Sequence, residues 1–321
     1  VKKALKVLGM ALVALLLIAA LAAIYNQFAP LPTYEVEAPI LEIRADSIRL
    51  ARGAQIASGT CSMCHLGESG QLDGALHLDD PAFGKIYASN ITQHPDKGIG
   101  QYSDGELFYL FRTGVMRNGK LSLPMMIRMP HLSDEDLYSV IAYLRSSDPA
   151  VQASAHEVPP HQLGFIGKAL SRLVFQPVPF EGEKVMSPNP TDKESYGKYL
   201  ATDLMQCANC HSSSFETYNI MEPEKSPGLF AGGNLVDLPG KGRLLSPNIT
   251  MHPEKGIGKW TEAQFIKTVR ERQRPNGTVL NPLMPDYGAF SDHEISSIWA
   301  YLQTIPISDN DVVLQAQSMH K

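Results

Sequence analysis

Cys61, Cys64 and His65, and again Cys207, Cys210 and His211, are the residues whose types and spacing carry chemistry. Each set reads C-x-x-C-H. Two thiols three residues apart lie on one face of a helical turn, where each can add to a vinyl group of one haem. The imidazole that follows then reaches the iron as its proximal ligand. A zinc site or a dithiol redox pair would also use C-x-x-C. Ten His in 321 residues make a His after both pairs by chance an event on the order of one in a thousand. Two covalently attached c-type haems are therefore expected. The motifs use all four cysteines, leaving none for disulfides.

The length suits about two domains. A hydrophobic share of 44% suffices for globular cores, and a net charge of −5 does not suggest a nucleic-acid partner. Lys2, Lys3 and Lys6 precede an uncharged apolar run of 18 residues, Val7 to Ile24, with Tyr25 as an interfacial aromatic. That run just spans hydrocarbon. A cleaved signal peptide with Ala20-Leu21-Ala22 as its cleavage site competes with this. The run exceeds a usual h-region, which favours an uncleaved single-pass anchor. Basic residues stay in the cytoplasm, so the remainder is expected in the periplasm of a bacterial inner membrane. Haem attachment outside that membrane agrees. Pro30 and Pro32 end the helix and begin an extended spacer to about Ile43.

The elements that must position the motifs come as a repeat. Asn90-Ile91-Thr92 recurs as Asn248-Ile249-Thr250, His94-Pro95 as His252-Pro253, and Lys97-Gly98-Ile99-Gly100 as Lys255-Gly256-Ile257-Gly258. Ser133-Asp134 recurs as Ser291-Asp292, and Ala142-Tyr143-Leu144 as Ala300-Tyr301-Leu302. The offset is constant from Asn90 onward and shorter between the motifs, so the second copy carries a longer loop after His211. Each copy reads as short helices. The first begins near Asp46 and Asp192. The next begins at Ser103 and Thr261, where Glu106 and Gln264 complete capping boxes. The last begins at Ser133 and Ser291 and carries apolar stripes through Leu137, Val140, Ile141 and Leu144, and through Ile295, Ile298, Trp299 and Leu302. A long polar, Gly-rich loop follows each motif, and no substantial sheet is expected. The fold class is all-α: two tandem units after an N-terminal transmembrane helix. The bounds are 1–44 for anchor and spacer, 45–148 for the first unit, 149–190 for a Pro-rich linker and 191–321 for the second unit. Within the linker, Leu163 to Phe175 reads as a short amphipathic helix, better placed between the units than on a membrane because it has only two cations, Lys168 and Arg172.

The sixth iron ligand decides whether a haem only transfers electrons or also binds small molecules. Met284, in Pro282-Leu283-Met284-Pro285, is the distal ligand expected in the second unit. The repeat offset maps it onto Met126, which ranks ahead of Met129 and then Met125 in the first. Arg112 and Arg270 repeat and could pair with haem propionates. Asn90 and Asn248 could donate to propionates or fix a turn. His94 and His252, each before Pro, suit loop structure better than ligation. His77, His131, His156, His161, His293 and His320 have no equivalent in the other copy and are expected at the surface. No G-x-S-x-G, Rossmann or P-loop pattern suggests substrate chemistry apart from haem.

Each half resembles a class I cytochrome c domain. The order of haem motif, loop with Ser246-Pro247-Asn248-Ile249-Thr250, Gly-Ile-Gly, Met-Pro and a Ser-Asp-x-Glu helix is similar to the membrane-bound multihaem cytochrome c subunits of bacterial alcohol, gluconate and related sugar dehydrogenases. Those subunits usually carry three haems and a C-terminal anchor; here there are two motifs and an N-terminal apolar run. The resemblance implies electron transport without catalysis of its own: a dihaem cytochrome c in a respiratory or dehydrogenase chain. Its redox partners would be a quinol-oxidising complex, a dehydrogenase or a terminal oxidase. A dihaem peroxidase with one open haem site is the alternative. A haem-based sensor is a third, for which no output domain is visible.

Overall fold

Asp46 ends the extended spacer and starts the first globular helix, because its carboxylate accepts the amides of Ile48 and Arg49. This is one of several caps in the computed structural model, which describes residues 2–318. His320 lies outside the described residues. The chain is predominantly helical. Helix α1 (Lys2–Phe28) is long and apolar enough to cross a membrane, and its side chains from Lys2 to Tyr25 are exposed. α2 (Ser47–Thr60) leads into the short α3 (Ser62–His65), which carries the first motif. α4 (Asp104–Thr113) and α5 (Asp134–Leu144) complete the first set. α6 (Phe165–Leu173) follows, then α7 (Lys193–Tyr199), a π-helical turn (Leu200–Leu204) and α8 (Cys207–His211), which carries the second motif. α9 (Glu262–Glu271) and α10 (Asp292–Leu302) mirror α4 and α5, and α11 (Val312–Ser318) ends the described chain.

Capping boxes start α4, α9 and α10, at Ser103/Glu106, Thr261/Gln264 and Ser291/Glu294. At α5 only half a box forms. Ser133 accepts the Asp136 amide, while the Asp136 carboxylate turns to Arg52, Tyr199 and the Ser133 hydroxyl.

The first helix of each set crosses the last at a glycine. A Cβ on Gly53 would overlap the Ser139 carbonyl oxygen of α5, and one on Gly197 would overlap the Ser297 carbonyl oxygen of α10. Gly53→Val or Gly197→Val is therefore expected to force its helix pair apart, at a cost of about 2–3 kcal/mol. Urea unfolding followed by far-UV circular dichroism would show it; an unchanged midpoint would disprove the crossing.

Two strand pairs replace the loops expected after the motifs. β1 (Ala75–Asp80), β2 (Gly84–Ala88) and β3 (Gln162–Leu163) form an antiparallel sheet in that order. β4 (Leu235–Leu238) and β5 (Gly242–Leu245) form a hairpin. The turns use Gly84 and Gly242 at positive φ, where a side chain is disfavoured. Glycine-rich polar sequence was compatible with loop or hairpin, and pairing decided it.

Neither the spacer nor the linker hangs free. The Ile43 amide donates to Asp104, the Tyr34 amide to the Gly119 carbonyl, and Pro39 packs on Gly105. In the linker, Val151 and Val178 are buried, and the Val178 amide donates to the Thr113 carbonyl. Helix α6 forms where an amphipathic helix was expected but not between the two halves. It docks on the C-terminal end of α1, where Lys168 and Arg172 find carbonyls to bond.

One hydrophobic core runs through both halves, from Ile56, Leu107 and Leu137 to Leu200, Phe290 and Ile295. At its edge, where the halves join, sits a charged hub. Arg52 donates to Asp136 at 2.7 Å and to Glu294 at 2.5 Å, so α2, α5 and α10 meet on one guanidinium.

Candidate haem sites

His65 is buried at the end of α3, and His211 at the end of α8. The Nδ1 of His65 lies 2.6 Å from the Ser89 carbonyl oxygen, and that of His211 2.9 Å from the Pro247 carbonyl oxygen. A carbonyl only accepts, so Nδ1 carries the proton and Nε2 is left with a free lone pair. The orienting bond is the one expected behind a metal-binding imidazole. Burial lowers the pKa of both rings, holding them neutral. Burial likewise pushes Cys61 up to about 12 and Cys64 to about 11, with Cys207 and Cys210 both near 12. A dithiol redox pair needs the opposite shift. Among the described residues no three of His, Cys, Asp or Glu gather as a metal site.

Each motif faces a cavity. The first, of about 310 Å³, is lined by Cys61, Cys64 and His65 on one side and by Met125, Met126 and Met129 on another. The second, of about 1160 Å³, is lined by Cys210, His211 and Met284. The Met126 amide donates to the Leu123 carbonyl and the Met284 amide to that of Asn281, so the same turn presents a methionine in both halves. Met129 is buried and its amide is tied to the Phe111 carbonyl. The residues present fit a haem in each cavity: an oriented imidazole with Nε2 free, a thioether, and thiols, both of the pair in the first cavity and Cys210 in the second, with Cys207 one turn away on α8.

The four propionate candidates are otherwise engaged. Arg112 is buried, outside the cavity lining, with its guanidinium on Asp134 and on the carbonyls of Met129, Pro130 and Leu132. It fixes the backbone of the methionine loop. Arg270 is exposed and pairs with Asp292. Asn90 and Asn248 border the cavities, but their amides are spent on backbone. The Asn248 carbonyl accepts from the Thr250 amide and hydroxyl, and its NH2 donates to the Ser308 and Asn310 carbonyls. Asn90 repeats the pattern with Thr92, Ser154 and His156. Asn248→Ala would leave buried polar groups unpaired and is expected to cost about 2–3 kcal/mol. Redox titration of the same variant should give unchanged potentials; a shift would restore the propionate role.

His94 and His252 act in the loop, accepting two amides each through Nδ1. His77 is not at the surface. It is half-buried on β1, lines the first cavity, and has its pKa lowered to about 4 by burial, with His65 and Lys241 adding repulsion. His161 also borders that cavity, its Nδ1 accepting the Tyr87 amide at 3.3 Å. No repeat signalled either, because the strand pairs differ between halves. Lys97 and Lys255 are cations lining the two cavities at matching positions. The repeated Lys-Gly-Ile-Gly contained that signal, which was absorbed into the loop signature. Arg243 and Arg274 join Lys255 in the second cavity, with no repeat to mark them.

The first motif touches the second half. Met63, inside the first motif, packs against Val236, Leu238 and Leu283 of the second half. Lys241 donates to the Met63 carbonyl at 2.8 Å, and Thr60 to the Leu204 carbonyl.

Residues 50–148 match the family model for cytochrome c. The chain is 28% identical over 275 residues to the fructose dehydrogenase cytochrome subunit of Gluconobacter japonicus, covering 80% of this chain and 52% of the relative. It is 28% identical over 284 residues to the cytochrome c subunit of a quinone alcohol dehydrogenase from Gluconacetobacter polyoxogenes, covering 82% and 57%. It is 24% identical over 276 residues to a diheme cytochrome c-type protein of Cereibacter sphaeroides, covering 80% and 86%. The chain thus spans about half the length of the two dehydrogenase subunits. It contains a cytochrome c-like domain at 50–148 and is homologous to the cytochrome c subunits of bacterial dehydrogenase complexes.

Proposed function

We propose that this protein is a membrane-anchored dihaem cytochrome c whose haem-bearing part faces the periplasm. It passes single electrons between a donor and an acceptor of a respiratory or dehydrogenase chain and has no substrate chemistry of its own. One observation carries this: two buried imidazoles, each with Nδ1 held by a carbonyl, each facing a cavity that a matching turn supplies with methionine.

Haem c, when bound, supplies a one-electron couple. The chain does the rest. Cys61 and Cys64 would hold one haem covalently, and Cys207 and Cys210 the other. His65 and His211 would be the proximal ligands, with Met126 and Met284 distal. The apolar part of each lining, such as Leu107 and Phe111 in the first and Leu235 and Leu283 in the second, would lower the local dielectric and so tune the potential. Lys241 sets a positive charge beside the first motif. Packing of Met63 on Val236, Leu238 and Leu283 joins the first motif to the second half. The names of the homologous subunits support a dehydrogenase as the electron donor, and the diheme relative supports two haems in a chain of this size.

The test is haem stoichiometry and the visible spectrum of the purified protein. Two c-type haems per chain, both low-spin with the far-red sulfur-to-iron band and inert to carbon monoxide, are expected. One haem per chain, or a high-spin site that binds carbon monoxide or peroxide, would overturn the closed electron carrier and favour a peroxidase.

A further inference from the structure

Helix α6 carries an apolar face that the protein does not cover. Phe165 and Ile166 are about half exposed, at 51% and 46%, and Leu173 and the following Val174 reach 80% and 60%. At 100° per residue, Phe165, Ile166, Ala169, Leu170 and Leu173 share one arc of roughly 140°. Lys168, Ser171 and Arg172 occupy the other side.

The polar side is committed, and to one place. The Asn26 amide donates to the Phe165 carbonyl at 2.9 Å. Lys168 donates to the Gln27 carbonyl at 2.8 Å, and Arg172 to those of Pro30 and Ala29 at 2.7 and 2.5 Å. These are the open carbonyls at the end of α1, where cations also complement the helix dipole. The Arg172 guanidinium further lies over the Tyr25 ring, 5.3 Å from its centroid. The two cations, whose small number favoured a place between the units, both serve as a C-terminal cap for the anchor, so what α6 leaves to a bilayer is its apolar face.

This fixes the level of α6. The apolar run of α1 ends at Ile24, and α6 is strapped to residues 25–30. Its bare face therefore lies beside the end of the exposed apolar surface of α1, which runs on through Tyr25 and Phe28, 64% and 79% exposed. A lipid surface is the one occupant that meets both surfaces at once.

We propose that α6 lies in the periplasmic face of the bilayer, its Phe165, Ile166 and Leu173 side sunk among the acyl chains beside the anchor. The proposal rests on the anchor reading of α1. Amphipathic helices of this kind sink about 5–10 Å into the headgroup and acyl boundary. β3 immediately precedes α6 and pairs with β2, whose Ile86, Tyr87 and Ala88 line the first cavity. The bilayer surface would thereby hold the first haem site, rather than leaving it to swing on a single helix.

Nitroxide labels on the full chain in lipid nanodiscs test this. Cysteines would be placed by Ile166→Cys and Leu173→Cys, with Leu15→Cys as a deep reference and Met186→Cys as an aqueous one. Oxygen and a water-soluble nickel chelate are the collision partners. Positions 166 and 173 are expected to favour oxygen over nickel several-fold, at a depth shallower than position 15. Nickel access at 166 and 173 equal to that at 186, with position 15 still protected, would overturn the proposal alone. Nickel access at position 15 as well would overturn the anchor beneath it. All four sites are exposed side chains, so labelling leaves the packed core intact.

Discussion

Arg52→Met is expected to lower the thermal midpoint by about 6–12 °C. Its guanidinium bridges Asp136 and Glu294. Removing it leaves two carboxylates facing each other across the junction of the halves. Breaking a buried pair costs about 3–5 kcal/mol. These side chains keep 10–19% of their exposure, which sets the cost at about 3 kcal/mol, the lower end. At about 2–4 °C per kcal/mol for a chain of this size, the stated shift follows. Adding Asp136→Asn and Glu294→Gln removes the repulsion and should recover most of it. A single-variant midpoint within a degree of wild type would sink the hub.

The same hub gives a pH dependence. Burial raises the Glu294 carboxyl, but the Ser291 amide and the Arg52 charge outweigh it, and the net pKa falls below the usual 4.5. A depressed carboxyl stabilises the fold above its unfolded value and loses that contribution as pH falls through the folded one. Stability should therefore drop as pH falls below about 4.5. Arg52→Met should flatten that drop, as followed by unfolding at stepped pH.

Met126→Leu is expected to have the largest effect on the sites themselves. If Met126 closes the first site, the variant loses one sulfur-to-iron band, becomes half high-spin and binds carbon monoxide at one haem per chain. Met129→Leu should leave the spectrum unchanged and cost no more than about 1.5 kcal/mol, as a volume-conserving swap. The choice rests on the shared turn, since the Met126 and Met284 amides close equivalent bonds to Leu123 and Asn281. Met129 lines the same cavity, and the bonds of Arg112 to the Met129 and Pro130 carbonyls match those of Arg272 to the Met284 and Pro285 carbonyls, which makes Met129→Leu the decisive companion variant. Met126→His should instead keep the site closed while lowering its potential by on the order of 0.2 V, within the ~0.8 V that axial ligands span. If Met129→Leu opened the site, the order of the two methionines would be reversed.

Much of this was legible locally. The motif spacing, the serine and threonine caps, the repeat and the apolar run are short-range patterns, each tied to physics acting within one or two helical turns. The repeat offset by itself singles out Met126. For Arg112, Arg270, Asn90 and Asn248 the sequence leaves a propionate contact and a structural clamp open, because a repeated polar residue near a motif suits both. Only the partners distinguish the two. Asp134 and the Met129 carbonyl claim Arg112, and Thr250 and Ser308 claim Asn248.

By itself the sequence determined the chemistry the chain can carry: two C-x-x-C-H motifs, two matched methionine segments and one helix able to span a bilayer. Tertiary structure alone decided what joins them. Strands 75–88 found a third partner at 162–163, the linker helix went to the foot of α1, and Arg52 reached a carboxylate more than two hundred residues away. Such pairings depend on which donors and acceptors the packed core strands together, and no spacing along the chain encodes that.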